Sequence, residues 1–173
     1  LRGLEVSSTV GEATGWHPMY VLVNDPFESS DVEQWPEGVR IYGAAPAYLK
    51  TDSYGEFIFD WAWAEFYHRN GLDYYPKLVI AAPFTPVTGP RMLLAEDGPE
   101  RAEVERMLAQ GLVELARRTG CSSVHWLFTP SEQAERLAEL GYLHRFSQQH
   151  VWHNRGYADF DAFLATMRSR SRK

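Results

Sequence analysis

A chain of 173 residues with 45% hydrophobic content fits one ordinary domain with a sizeable core. Its net charge of −6 argues against wholesale binding to nucleic acid or anionic membrane, because both demand a positive field. The single cysteine, Cys121, leaves no intrachain disulfide or thiolate cluster and suggests a reducing, cytoplasmic compartment, and no apolar run reaches the roughly 20 residues that span a bilayer.

MYVLV (19–23) and VRIYGAAPAYL (39–49) read as an antiparallel strand pair separated by NDPFESSDVEQWPEG, a loop dense in turn formers. Ser53-Tyr-Gly-Glu56 has the spacing of a capping box and predicts a helix over 56–70 stopped by Gly71. At about 100° per residue that helix sets Phe59, Trp63, Phe66 and Tyr67 on one side and Phe57, Trp61 and His68 on another, with Asp60 between. It is therefore expected to be sandwiched, between the sheet and a ligand cleft. KLVIAA (77–82) reads as a strand covered on both faces.

Three prolines then fall within eight residues, at Pro83, Pro86 and Pro90. None has an N–H to give a ladder, so pairing is interrupted and a sheet edge opens. Gly98-Pro99 opens a second long helix with Val104, Met107, Leu108, Leu112 and Leu115 at helical spacing, closed by Gly120. SVHWLF (123–128) is a strand, and Thr129-Pro-Ser-Glu132 is a second capping box whose helix ends at Gly141. Residues 142–153 read as a long final strand, with Trp126 and Trp152 as core rings, and 160–167 as a last helix. This order predicts an α/β chain (mixed-sheet α+β) with helices on both faces of the sheet.

The proline segment carries the sharpest functional signal. Val87, Thr88 and Gly89 offer three N–H groups in succession, Gly89 lets a ligand approach the backbone, Thr85 belongs to the same surface, and Arg91 could clamp a carboxylate or phosphate. A rigid turn that merely ends an edge strand stands beside that reading. Tyr74, Tyr75 and Lys77 at the strand entrance, with Trp61, could hold a peptide or sugar by stacking and charge, or could simply pack. Asp60 and His68 are the acid/base candidates, against a plainer alternative in which His68 caps carbonyls and Asp60 bonds a Trp N–H. His150 and His153 face opposite sides of the predicted strand, there is no HExxH, G-x-S-x-G or Walker loop, and no metal is expected. Cys121 has no evident activating base and reads as a packed thiol.

The stretch GEFIFDWAWAEFYHRNGLDYYPKLVIAAPFTPVTGPRML (55–93), together with GWHPMYVLV, APAYLKTDSYGE and HNRGYADFDAFLATMRSRSRK, resembles a bacterial family of FemAB-like, GNAT-superfamily acyltransferases linked to the peptidoglycan bridge. The likeness runs over nearly the whole chain, with one departure at Gln149-His-Val-Trp152, where the family reads QFHW. It implies a GNAT-like N-terminal lobe over 1–156 and, in 157–173, the start of a second lobe lying beyond this chain. It further implies a sheet splayed after 77–82, and an N-acyl or aminoacyl transferase recognising a peptide or amino-sugar acceptor of a cell-wall precursor. A recognition module that binds such a precursor, or a protein partner, without catalysis is the alternative.

Acetyl-CoA is not expected to bind this half, because no Q/R-x-x-G-x-G/A turn is present and Glu96, Asp97 and Glu100 at the helix start repel a pyrophosphate. An aminoacyl-tRNA or acyl-CoA donor would serve the intact protein. Arg168, Arg170, Arg172 and Lys173 could touch tRNA in company with the second lobe, although a solvated helix end is the plainer reading. The stripe Phe160, Phe163 and Leu164 on a helix over 157–167 invites dimerisation.

Overall fold

The computed structural model describes residues 2–26, 38–96 and 98–168, so most of the turn-rich loop and the end of the basic tail lie outside the described residues. In chain order the elements are α1 (Arg2–Val6), a 3-10 turn (Glu12–Thr14), β1 (His17–Pro18), β2 (Val21–Asn24), β3 (Ile41–Ala45), β4 (Ala47–Lys50), α2 (Trp61–Arg69), β5 (Lys77–Ile80), β6 (Leu93–Leu94), α3 (Arg101–Thr119), β7 (Val124–Trp126), α4 (Ser131–Glu139) and α5 (Phe160–Ala165).

The single strand expected over 39–49 is two strands. Pro46 lies between them with no N–H to donate, and β3 and β4 join different sheets. β2, β3 and β6 form a three-stranded antiparallel sheet, so the predicted pairing of the first two strands is present. The second sheet has the order β1-β4-β5-β7, antiparallel up to β5 and parallel between β5 and β7. The parallel step is made through α3, as a βαβ crossover requires.

Both sheets close on α3. Its Val104, Leu108, Leu112 and Ala116 recur at helical spacing and are buried with Val23 and Ala45 from one sheet and Ala47, Leu78 and Ile80 from the other. Gly43 in β3 permits the approach, since a Cβ there would lie 2.5 Å from Val104 Cγ1. Met107, expected on the apolar stripe, is exposed instead. Side chains alternate along β5, so Lys77, Val79 and Ala81 face away from α3. Val10, Trp16, Tyr48 and Leu127 gather with Val79 and Ala81 in a second cluster on that side.

Among the described residues no long helix covers this second face. The helix expected from residue 56 starts at Trp61, buries none of its residues, and leaves Trp61, Trp63 and Phe66 exposed, so it is not sandwiched. Irregular chain over 51–60 takes its place above the sheet. The last predicted strand is also absent: residues 142–153 form no ladder among the described residues, and Trp152 is exposed, not core. That segment is held by Tyr142 Oη donating to the Ala109 carbonyl (2.9 Å), Arg145 lying over the Trp63 ring (4.7 Å) and Gln149 Nε2 donating to the Pro86 carbonyl (2.5 Å).

Candidate functional site

Lys50 and Lys77 stand directly opposite each other in the β4–β5 ladder, and both are fully buried. Like charges so placed repel, and each is costly to remove from water, so each must be met by partners. Lys50 Nζ donates to Asp52 Oδ1 (3.3 Å) and the Tyr54 carbonyl (3.1 Å) and lies 4.4 Å from the centre of the Trp16 ring. Lys77 Nζ donates to Asp60 Oδ2 (2.6 Å), Glu56 Oε2 (2.9 Å) and Ser53 Oγ (2.9 Å), which uses all three ammonium protons. Tyr74 Oη donates to the same Asp60 oxygen (2.7 Å), and Tyr75 Oη shares a hydrogen bond with Ser53 Oγ (2.8 Å).

The two carboxyls in this cluster are driven apart. Burial pushes Glu56 up, and Lys77 does not fully offset it. At Asp60 burial acts in the same direction, but hydrogen bonds from Lys77 and Tyr74 outweigh it and hold the group below the usual carboxylate range. Glu56 Oε1 and Asp60 Oδ1 are buried with no hydrogen-bond partner among the described residues. His125 of β7 lies edge-on to Tyr74 (6.1 Å between rings) and shares a 2.8 Å hydrogen bond between its Nε2 and Ser123 Oγ. Burial, assisted by the Lys77 charge, lowers its pKa to about 4, so the imidazole is neutral near pH 7.

Beyond Ile80 the β5–β7 ladder opens. The Leu127 N–H donates to the Ile80 carbonyl (3.0 Å), the chain then leaves the sheet, and it returns where the Gly89 N–H donates to the Phe128 carbonyl (3.1 Å). The excursion begins with a turn in which the Thr85 N–H reaches the Ala82 carbonyl (3.2 Å) and Phe84 adopts φ 56°. The Phe84 ring packs on Trp16 at 5.6 Å and over Gly55, where a Cβ would come within 2.6 Å of it. Gly55 at φ 76° thus joins the loop to the segment that carries Ser53 and Glu56. The outer side of the loop borders an open depression of about 470 Å³ lined by Thr85, Pro86, Val87, Thr88 and Gln149. The N–H groups of Val87 and Thr88 have no acceptor among the described residues.

The residues singled out from sequence separate into three places. Asp60, Tyr74, Tyr75 and Lys77 meet in the buried cluster, while Thr85, Val87 and Thr88 line the depression. Gly89 is in the loop, but its N–H is already used. Arg91 is turned inward and 5% exposed: Nε donates to the Leu127 carbonyl (2.8 Å), Nη2 to the Val87 carbonyl (2.5 Å), and its backbone N–H to Gln133 Oε1 (2.8 Å). It pins the loop from behind and is not presented to a carboxylate or phosphate. Trp61 is exposed on α2 against Phe59. His68 is exposed in the last turn, about 12 Å of helix rise from Asp60, so the two do not pair.

Ser53, Glu56, Lys50, His125 and Gln149 were not among the predicted site residues. The Ser53-x-x-Glu56 spacing was visible, but both side chains serve Lys77 rather than a helix cap. A lysine opening a strand expected to be covered on both faces was the available signal, because a covered ammonium needs carboxylates.

The family model of FemAB-like proteins, described as peptidoglycan biosynthesis/recognition, matches residues 1–173. The chain belongs to this family. No curated protein and no solved structure matches it. Among the described residues no helix is long and apolar enough to cross a membrane, and no His, Cys, Asp and Glu side chains gather as a metal site.

Proposed function

We propose that this FemAB-like chain is the acceptor-holding lobe of an N-acyl or aminoacyl transferase, gripping the peptide or amino-sugar part of a cell-wall precursor along the proline loop. One observation carries the reading. Two adjacent main-chain N–H groups, of Val87 and Thr88, stand without acceptors beside an open depression, on a loop fixed from behind by Arg91. An extended peptide offers carbonyls to such donors, as a strand does at an open sheet edge. Thr85, Thr88 and Gln149 supply side-chain contacts around them. The fixed loop means that little ordering entropy is lost on binding.

The parallel β5–β7 pair opening after Ile80 supports a GNAT-like arrangement for this lobe. Helix α3, which would face a pyrophosphate in such an arrangement, is preceded by Glu100 and has Glu103 in its first turn, so acetyl-CoA is not its ligand here. Donor binding, whether acyl-CoA or aminoacyl-tRNA, then belongs to other parts of the intact protein, and so does tRNA contact through a second lobe.

A specific observation favours the second reading, recognition without catalysis. Asp60 is sealed beneath the surface and His68 lies remote from it, so the acid/base pair is not assembled. Both readings share the same acceptor site, and thermal unfolding tests it. Muropeptide fragments should raise Tm and acetyl-CoA should not, since a ligand of the native state stabilises it. Thr88→Pro removes one free N–H and should reduce the muropeptide shift markedly, whereas Thr88→Ala keeps that N–H and should retain most of it. An equal shift in Thr88→Pro, or one with acetyl-CoA alone, overturns the proposal.

A further inference from the structure

A second concavity lies at the other end of the 142–157 segment, and the acceptor loop does not use it. Its volume is about 410 Å³, and Trp152, Asn154, Tyr157, Asp159, Phe160 and Phe163 line it. The Trp152 and Tyr157 rings lie within 28° of parallel at 6.4 Å, and Phe163 meets both edge-on, at 6.1 and 5.3 Å. Trp152 and Phe160 remain 62% and 69% exposed, so ring surface is left open to a guest.

The polar groups on the wall are oriented and half-used. Asn154 Oδ1 accepts from the Gly156 N–H (2.9 Å), which leaves its Nδ2 as a donor. Asp159 Oδ1 accepts from the Ala162 N–H (2.7 Å) at the start of α5, which leaves Oδ2 as an acceptor. The Tyr157 hydroxyl has no partner among the described residues. Among the described residues no lysine or arginine lines the cavity, and the one charge they place there is the Asp159 carboxylate. A phosphate or carboxylate would therefore be repelled. A ring that offers an apolar C–H face to the aromatics and hydroxyl or amino groups to Asn154, Tyr157 and Asp159 satisfies every element. The volume sits toward the small end of the roughly 300–1,000 Å³ typical of ligand sites.

We propose that this cavity is a subsite for the pyranose ring of an amino sugar, stacked on Trp152 and Tyr157 and oriented by Asn154 and Asp159. The pyranose chemistry follows from the cavity, whereas the choice of an amino sugar rests on the acceptor reading above. The subsite would hold the glycan part of a precursor whose peptide part lies on the proline loop.

Titration of the chain with N-acetylglucosamine, glucosamine and butylammonium, followed by tryptophan fluorescence and by NMR, tests it. Both sugars should bind saturably. Trp152→Ala should weaken them at least about tenfold, and Trp152→Phe, which keeps a ring, by less. Asn154→Ala should weaken both about threefold or more. Asp159→Asn retains a helix-capping oxygen and should weaken glucosamine more than its N-acetyl form.

Absence of saturable sugar binding, or equal affinity in Trp152→Ala, overturns the proposal. So does butylammonium binding as tightly as glucosamine with the same dependence on Trp152, since the rings would then be a cation cage. Sugar binding should be unchanged in Thr88→Pro. If the muropeptide shift is markedly reduced in Thr88→Pro but free sugar does not bind, only the subsite fails. If sugar binds in a Trp152-dependent way while the muropeptide shift ignores Thr88, only the loop reading fails.

Discussion

Removing Lys77 from water costs several kcal/mol, which only a tight set of partners can offset. It has three, and the unequal titration of the two carboxyls among them makes a sharp mutational contrast. Burial raises Glu56 against the pull of Lys77, so the pair it makes with that ammonium is the weaker of the two, and Glu56→Gln, which keeps an oxygen for Lys77, should cost less than the matching change at Asp60. Asp60 is held ionised by Lys77 and Tyr74, and Asp60→Asn breaks that pair, at about 3 kcal/mol by chemical denaturation. The reverse order of the two costs would show that Glu56, not Asp60, is the stronger partner of Lys77. His125 adds a pH signature. Its folded pKa near 4 lies below the ordinary 6.5, so the unfolded chain binds the proton first, and stability falls as pH drops from 6.5 through 4. The full loss is about 3 kcal/mol. Glu56 titrates with the opposite sign, its raised pKa costing stability as pH rises from its ordinary value to its folded one, so the His125 part is read as the difference between the wild type and His125→Gln. That difference should grow on acidification through this window, and a flat difference would mean that the imidazole is protonated in the fold.

Among the elements, those set by local rules were legible in the sequence and those set by tertiary partners were not. The 3.6-residue spacing of Val104, Leu108, Leu112 and Ala116 announces α3, and Gly120 closes it in the left-handed conformation, as its position suggests. The proline loop was legible for a related reason, because a missing N–H interrupts a ladder whatever surrounds it. The start of α2 was not legible, since Ser53 and Glu56 fit a cap as well as they fit a buried ammonium, and only the β4–β5 ladder brings Lys77 to them. The inward turn of Arg91 was hidden likewise, because the carbonyls it binds come from Leu127 and Val87, on both sides of the opening. That placement predicts that Arg91→Ala loosens the loop without removing a ligand contact. Muropeptide affinity should fall several-fold and amide exchange over 85–89 should rise, as a fixed loop becomes one that must be ordered on binding. Arg91→Lys should not restore either, since one ammonium cannot span the two carbonyls. Unchanged exchange would place the rigidity of the loop in its prolines alone.

At the scale of the whole molecule, two sheets share one helix. The chain crosses between them at Pro46, β3 on one side and β4 on the other, and the three-stranded sheet reaches the rest of the core chiefly through α3. Gly43 brings β3 close enough that Leu108 would lie 3.2 Å from a Cβ at that position, and the same leucine belongs to the buried cluster that includes Leu78 and Ile80 of the other sheet. Leu108 is therefore a shared support, and a cavity at its position is felt by both sheets. Leu108→Ala should destabilise by about 2–5 kcal/mol, the range for emptying a close-packed leucine site. Because both sheets lean on that site, urea unfolding should remain a single transition, shifted to lower denaturant with its slope unchanged. Far-ultraviolet dichroism and tryptophan fluorescence should trace the same curve, Trp16 and Trp126 of the four-stranded side being among the fluorescent reporters. If the two probes separate in Leu108→Ala, the three-stranded sheet unfolds by itself once α3 is weakened, and the proline loop, which begins on the four-stranded sheet and ends beside β6, would lose its fixed frame before the core as a whole is lost.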